Sequence, residues 1–158
     1  MKRFRPRQVI VCFTAILTAI VLAACTRWRT PPAPPSLIVG EFLDDYGGSH
    51  TVSATLWMQH PRNRFHITRW NGEGHYLIAR NDSANASDGG LWTRIDWVEL
   101  KNMSPYDVAF CFSAYKAPTA AEAESVKVAK PDSPRTGCNG FPFTRLKRSV
   151  RPSSTPSR

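Results

Sequence analysis

From residue 37 to residue 146 the chain alternates short apolar, β-branched and aromatic runs with clusters of Gly, Asn, Asp and Ser. LIVGEFLDD and HTVSATLWMQ flank Tyr46-Gly47-Gly48-Ser49, where glycine allows the positive φ that tight hairpins need. RFHITRW, HYLIAR, LWTRIDWVEL and DVAFCFSAY follow, separated by NGEG, NDSANASDGG and KNMSP, so turn chemistry punctuates every run. FPFTRL closes the series; Pro142 confines it to an edge or a bulge, because proline donates no ladder hydrogen bond. Alternation with period two puts Val52, Ala54, Leu56 and Met58 on one face, and likewise Val108, Phe110 and Phe112, which makes these residues the predicted core.

One segment follows a different rule. Thr119-Ala120-Ala121-Glu122 reads as a capping box, and the alanine-rich run behind it predicts a helix over about 120–129, stopped by Lys130-Pro131. Its apolar face holds only Ala and Val, so it is expected on the flank of the sheet. The predicted fold is mainly β: a small antiparallel sandwich or a barrel-like curved sheet of about 6–7 strands with one short late helix. Residues 37–146 form one domain of about 110 residues, too few for two cores.

The ends of the chain have other characters. Residues 1–24 read as a signal peptide, with Lys2, Arg3, Arg5 and Arg7 ahead of an apolar stretch that ends in small residues. That stretch falls short of the roughly 20 residues of a comfortable membrane span. Leu22-Ala23-Ala24-Cys25 resembles the lipobox of bacterial lipoproteins. The resemblance implies cleavage before Cys25, a diacylglycerol on its sulfur and acylation of the freed amine. Several chains together hold a bilayer firmly, whereas one binds only marginally. The class also carries a sorting rule: an aspartate after the cysteine retains many such proteins in the inner membrane. Thr26 stands there, which favours the outer membrane in a Gram-negative cell. Residues 25–36, with TPPAPPS, predict an extended lipidated tether, and residues 147–158 a disordered basic tail.

With Cys12 in the signal peptide and Cys25 acylated, Cys111 and Cys138 remain in an oxidising compartment. A disulfide between them is the expectation, worth about 3 kcal/mol in the chain-entropy model; free buried thiols are the alternative. Too few Cys and His stand at regular spacing for a structural zinc site. The formal charge of +9 points less to nucleic acid than it first suggests, because it resides at the ends. Between Ser36 and Thr144 there are 10 Lys and Arg against 12 Asp and Glu, a net of −2. Basic ends of this kind suit anionic lipid or polysaccharide, or simply keep the chain soluble.

LWTRIDW carries the most chemistry. Period two sets Trp92, Arg94 and Asp96 on one face and Thr93, Ile95 and Trp97 on the other. A sugar ring stacked on Trp92 with hydroxyls bonded to Arg94 and Asp96 is one reading; a structural ion pair with Arg94 over Trp92 is the other, and the more ordinary. Trp57, Trp70, Trp92 and Trp97 are the tryptophans that would line such a sugar or apolar pocket. NDSANASDGG gathers oxygens at Asn81, Asp82, Asn85 and Asp88, a possible calcium loop, although its spacing is not that of an EF-hand. Two Asn-X-Ser sequons in the same loop have no use in a bacterial lipoprotein. His50, His60, His66 and His75 are scattered, and no GxSxG, phosphate-cradling glycine loop or dinucleotide fingerprint is present.

LWTRIDW, DDYGGSHTVS, YLIARNDSAN and GCNGFPFTRL together resemble a family of small secreted or lipid-anchored bacterial proteins to which no activity is attached. The resemblance implies a compact β-rich extracytoplasmic domain and transfers no catalytic residue. The function expected from all this is a lipoprotein that displays a small non-catalytic β domain to an envelope protein or polysaccharide. It uses no cofactor, binds no nucleic acid, and holds the bilayer through Cys25. The rivals are a ligand-binding module built on the tryptophans with Arg94 and Asp96, and an enzyme using the scattered His and Asp.

Overall fold

The structure, a computed structural model, describes residues 33–149. The segment read as a signal peptide, Cys25, most of the segment read as a tether and residues 150–158 lie outside the described residues. Eight strands follow in order: β1 Gly40–Asp44, β2 Ser49–Val52, β3 Leu56–Gln59, β4 Asn63–Asn71, β5 Tyr76–Asn81, β6 Trp92–Glu99, β7 Val108–Ala117 and β8 Thr144–Arg148. Among the described residues a single short helix, α1 (Ala120–Ser125), stands between β7 and β8. Each strand pairs antiparallel with its neighbour in sequence, and β8 returns to pair with β1, so the sheet closes into a barrel. Of the two predicted architectures the barrel is the one formed. Closure pairs every strand on both sides for at least part of its length, which blunts the edges that invite aggregation.

One local feature raises the strand count above the predicted 6–7, and a second moves the last strand along the chain. HTVSATLWMQ is not one strand but two, because the chain reverses at Ser53–Thr55. The Ser53 hydroxyl accepts the Leu56 N–H at 3.0 Å, and the Ser53 N–H donates to the Leu56 carbonyl at 2.8 Å. A serine turn without Gly or Pro is hard to see in sequence. The reversal corrects the predicted core: Val52 is buried, Ala54 is exposed, and Leu56 and Met58 are half-buried outside, while Trp57 points inward with no exposed surface. On β7 the predicted face is right, with Val108 and Phe110 buried and Phe112 packed half-buried against them.

The second feature is β8, which begins two residues beyond Pro142 and runs through Lys147 and Arg148. Those two residues therefore belong to the barrel and not to a tail. The Arg148 guanidinium donates to the carbonyls of Val39 (3.1 Å), Ser36 (2.9 Å) and Leu37 (3.1 Å), tying the last strand to the segment before β1.

An eight-stranded barrel has an interior that side chains can just fill. Here Phe42, Trp57, Phe65, Trp70, Trp97 and Phe110 do most of the filling, with Ile38 and Leu146 beside them. Rings meet at 5.0 Å between Trp57 and Phe110 and at 5.7 Å between Trp70 and Trp97, within the range of favourable aromatic pairs.

Two smaller layers cover the outer wall. α1 lies over β5, β6 and β7, where Ala123 is fully buried against Ile78 and Ala114. Its start is as predicted, the Thr119 hydroxyl accepting the Glu122 N–H at 3.2 Å. It ends at Ser125, short of the predicted 129, because Val126 turns into extended backbone (φ −70°, ψ 123°). From there the chain runs on to pair Ala129 with Cys138. Cys138 is joined to Cys111 of β7 by a disulfide, the two Cα atoms 5.5 Å apart. Ala109 and Phe143 pack around this bridge and hold the 126–143 segment against the barrel.

Candidate functional site

On β6 the alternation read from LWTRIDW holds. Thr93, Ile95 and Trp97 are buried toward the interior; Trp92, Arg94 and Asp96 face outward, beneath α1. Arg94 and Asp96 are only 7% and 4% exposed. The guanidinium grips the carboxylate with two hydrogen bonds, Nε to Oδ2 at 2.8 Å and Nη2 to Oδ1 at 2.7 Å. Its remaining Nη1 donates to the Glu124 carbonyl of α1 at 2.7 Å, and its plane stacks 3.9 Å from the centre of the Tyr76 ring.

Around that pair every partner is also engaged. The Ser113 hydroxyl donates to Asp96 Oδ2 at 2.5 Å, the Tyr76 hydroxyl donates to Glu124 Oε1 at 2.7 Å, and Arg69 pairs with the other Glu124 oxygen. Burial opposes the charge on Arg94, but the bonds and charge of Asp96 outweigh it and lift the guanidinium above its ordinary pKa. The Tyr76 hydrogen bond, with Arg69, holds Glu124 below the usual carboxylate range against the opposing effect of burial. This cluster anchors the helix. Trp92 packs half-buried in the same layer and Trp97 lies on the other side of the sheet, so the four candidate ligand residues do not share a surface.

A second buried chain runs through the barrel. Trp57 Nε1–H can only donate, and it donates to His50 Nδ1 at 3.1 Å. The imidazole therefore carries its proton on Nε2 and donates it to Asp44 Oδ2 at 2.9 Å. The other Asp44 oxygen accepts the Tyr46 N–H (2.9 Å) and the Gly48 N–H (2.7 Å), which builds the β1–β2 turn. Burial pushes the Asp44 carboxyl up, but the His50 bond and the two backbone bonds prevail and its pKa is lowered. The His50 side chain has no exposed surface, so an Asp–His pair that resembles catalytic machinery is closed inside the core.

The remaining histidines stay apart. His60 bonds the Thr51 hydroxyl at 2.9 Å, His66 pairs with Asp82 at 2.8 Å on the exposed wall, and His75 stacks on Trp97 with ring centres 5.8 Å apart. Nor does the loop NDSANASDGG gather its oxygens. Asp82 takes the Ala84 N–H as well as His66, and Asn85 Oδ1 takes the Arg64 N–H at 2.8 Å. Among the described residues no group of three His, Cys, Asp or Glu side chains is placed to hold a metal ion.

What this loop does form is the rim of a cleft of about 340 Å³ at one mouth of the barrel. Phe65 and Phe112, with ring centres 5.2 Å apart, make its floor. β8 pairs only with Val108–Phe110 of β7, so the far half of β7, including Phe112 and Tyr115, has no strand on that side. Asn81, 3% exposed at the interior end of β5, braces the rim: its amide donates to the Asp88 carbonyl (2.8 Å) and the Tyr115 carbonyl (2.9 Å) and accepts the Thr93 hydroxyl. The loop motif sets Asn81 among its oxygens, whereas the structure turns it inward. Its parity with Leu77 and Ala79 was the signal that it points inward.

A second cleft, of about 350 Å³, lies on the outer wall beside β8, between Tyr46, Met103, Phe143 and Arg145. Arg145 is held there by Asp45 at 2.7 Å and lies over the Tyr106 ring. The described residues form a closed, filled, eight-stranded up-and-down barrel with one covering helix. Comparisons of the chain with protein-family models, with curated proteins and with solved structures find no match.

Proposed function

We propose that this chain is a bacterial envelope lipoprotein whose barrel is a rigid, non-catalytic binding scaffold. The observation that carries the scaffold reading is the way buried polar chemistry is tied off. Asp44, His50, Arg94 and Asp96 are buried and direct their hydrogen bonds at one another and at the backbone, which stabilises the fold and leaves them no part in acid–base work. The disulfide between Cys111 and Cys138 supports an oxidising, extracytoplasmic address. Leu22-Ala23-Ala24-Cys25 supports acylation at Cys25, residues 25–36 the tether, and Thr26 the outer membrane. The bilayer is then one partner and an envelope protein or polysaccharide the other.

The test is the intact mass of the protein purified from native membranes, with and without reductant, followed by analysis of its N-terminal peptide. The expected result is a chain that starts at Cys25, carries three acyl chains, and gains about two hydrogens on reduction. A chain that keeps residues 1–24 and bears no lipid overturns the anchor.

A further inference from the structure

We propose that the mouth cleft rimmed by the 82–91 loop binds one end of a neutral saccharide. The proposal rests on reading the barrel as a binding scaffold, and adds the site and the class of ligand.

The cleft has the size and position of a ligand site: about 340 Å³, at the mouth of a barrel, where such sites recur. Its floor is the apolar pair Phe65 and Phe112, and Tyr115, 51% exposed, stands at its side. A pyranose presents an apolar C–H face, which aromatic floors take up. Its hydroxyls each donate and accept, so they need polar partners around the ring.

The rim supplies them. Among the described residues the Asp88 carboxylate, the Ser87 hydroxyl and the Tyr115 hydroxyl make no hydrogen bond, and Asn63 uses only its amide nitrogen, toward Gln59 at 3.4 Å. These free groups line one concavity with both donors and acceptors. They are also preorganised. Asn81 pins the rim to β7, and the Asn85 side chain clamps the loop to the Arg64 main chain, accepting its N–H at 2.8 Å and donating to its carbonyl at 2.9 Å. A rim held in place before binding lowers the ordering cost that weakens loop-built sites.

The chemistry selects against other ligands. Asp88 is the one formally charged side chain lining the cleft, so phosphates and acidic polymers meet its repulsion; Lys116, whose Nζ lies 5.7 Å from the centre of the Tyr115 ring, is outside the lining. An acyl chain needs a deep apolar bore, whereas the barrel behind Phe65 and Phe112 is filled by Trp57, Phe110 and Ile67.

The experiment uses the full chain purified from membranes and reconstituted in lipid nanodiscs, titrated by calorimetry with chitotetraose, cellotetraose and maltotetraose, and with tetragalacturonate as the anionic counterpart. The expected result is binding of at least one neutral tetrasaccharide with Kd below about 1 mM. Tyr115→Ala and Asp88→Ala each weaken it about tenfold, and Tyr46→Ala, in the other cleft, leaves it unchanged. Tyr115 and Asp88 lie at the rim, and circular dichroism verifies that their variants keep the fold. Three outcomes overturn the proposal: no neutral saccharide binding at about 10 mM, binding that survives both rim substitutions, or binding of tetragalacturonate alone. None of these touches the anchor, which the mass measurement reads separately.

Discussion

Replacing Asp44 by Asn changes one atom and tests the buried chain through His50. The carboxylate accepts at both oxygens: Tyr46 and Gly48 N–H on one, His50 Nε2–H on the other. An amide has only one acceptor. If its oxygen serves the turn, its NH2 faces the His50 Nε2–H, donor against donor. If the imidazole shifts its proton to Nδ1 to relieve that clash, the proton meets the Trp57 Nε1–H instead. Some donor in a largely buried site is therefore left opposed, and a charge-assisted bond is lost. Together these cost about 2–4 kcal/mol, or about 8–16 °C in Tm for a domain of this size.

Trp57→Phe removes the far constraint, so the double variant should recover about 1 kcal/mol relative to the sum of the single ones. Urea unfolding of the reconstituted full chain, followed by tryptophan fluorescence, measures all four corners of the cycle. The folded Asp44 pKa lies below the unfolded one. Its contribution is thus complete above the unfolded carboxylate range, near about pH 4, and is lost as the pH falls through the lower folded value. The acid limb of stability should flatten in Asp44→Asn. A loss below about 1 kcal/mol, or strictly additive substitutions, refutes the locked tautomer.

Other consequences follow from the same contacts. Arg94→Ala strands the Asp96 carboxylate under α1 and should cost about 3–5 kcal/mol, with limited proteolysis near residues 118–128 reporting a loosened helix. Cys111→Ser with Cys138→Ser should cost about 3–4 kcal/mol, and hydrogen exchange should show the 126–143 segment opening first while the barrel strands stay protected. Cys25→Ser should move the protein from the membrane to the soluble fraction on carbonate extraction, with the disulfide still formed.

The amino-acid sequence by itself determined the strand-rich class, the faces of β6 and β7 and the helix start at Thr119. Each of these rests on information local in the chain: period-two alternation, a capping hydroxyl and turn residues. Cys111 and Cys138 were an expected pair with free thiols as the alternative, and the structure forms the bond. Closure into a barrel is not local. It depends on β8 meeting β1 a hundred residues away, and no pattern within either strand announces a partner at that distance.

The site candidates divide along the same line. Trp92, Arg94 and Asp96 were visible as a same-face set, but only the packed structure places α1 over them and turns a plausible sugar contact into a buried tie. The mouth cleft was illegible because its parts come from β4, β5, β7 and the loop after β5, joined only when the strands tilt around the barrel. Even the Ser53 turn, three residues long, was decided by the need of Trp57 to enter the core. Local propensity sets what each segment can be; the burial of side chains from distant strands decides which faces meet.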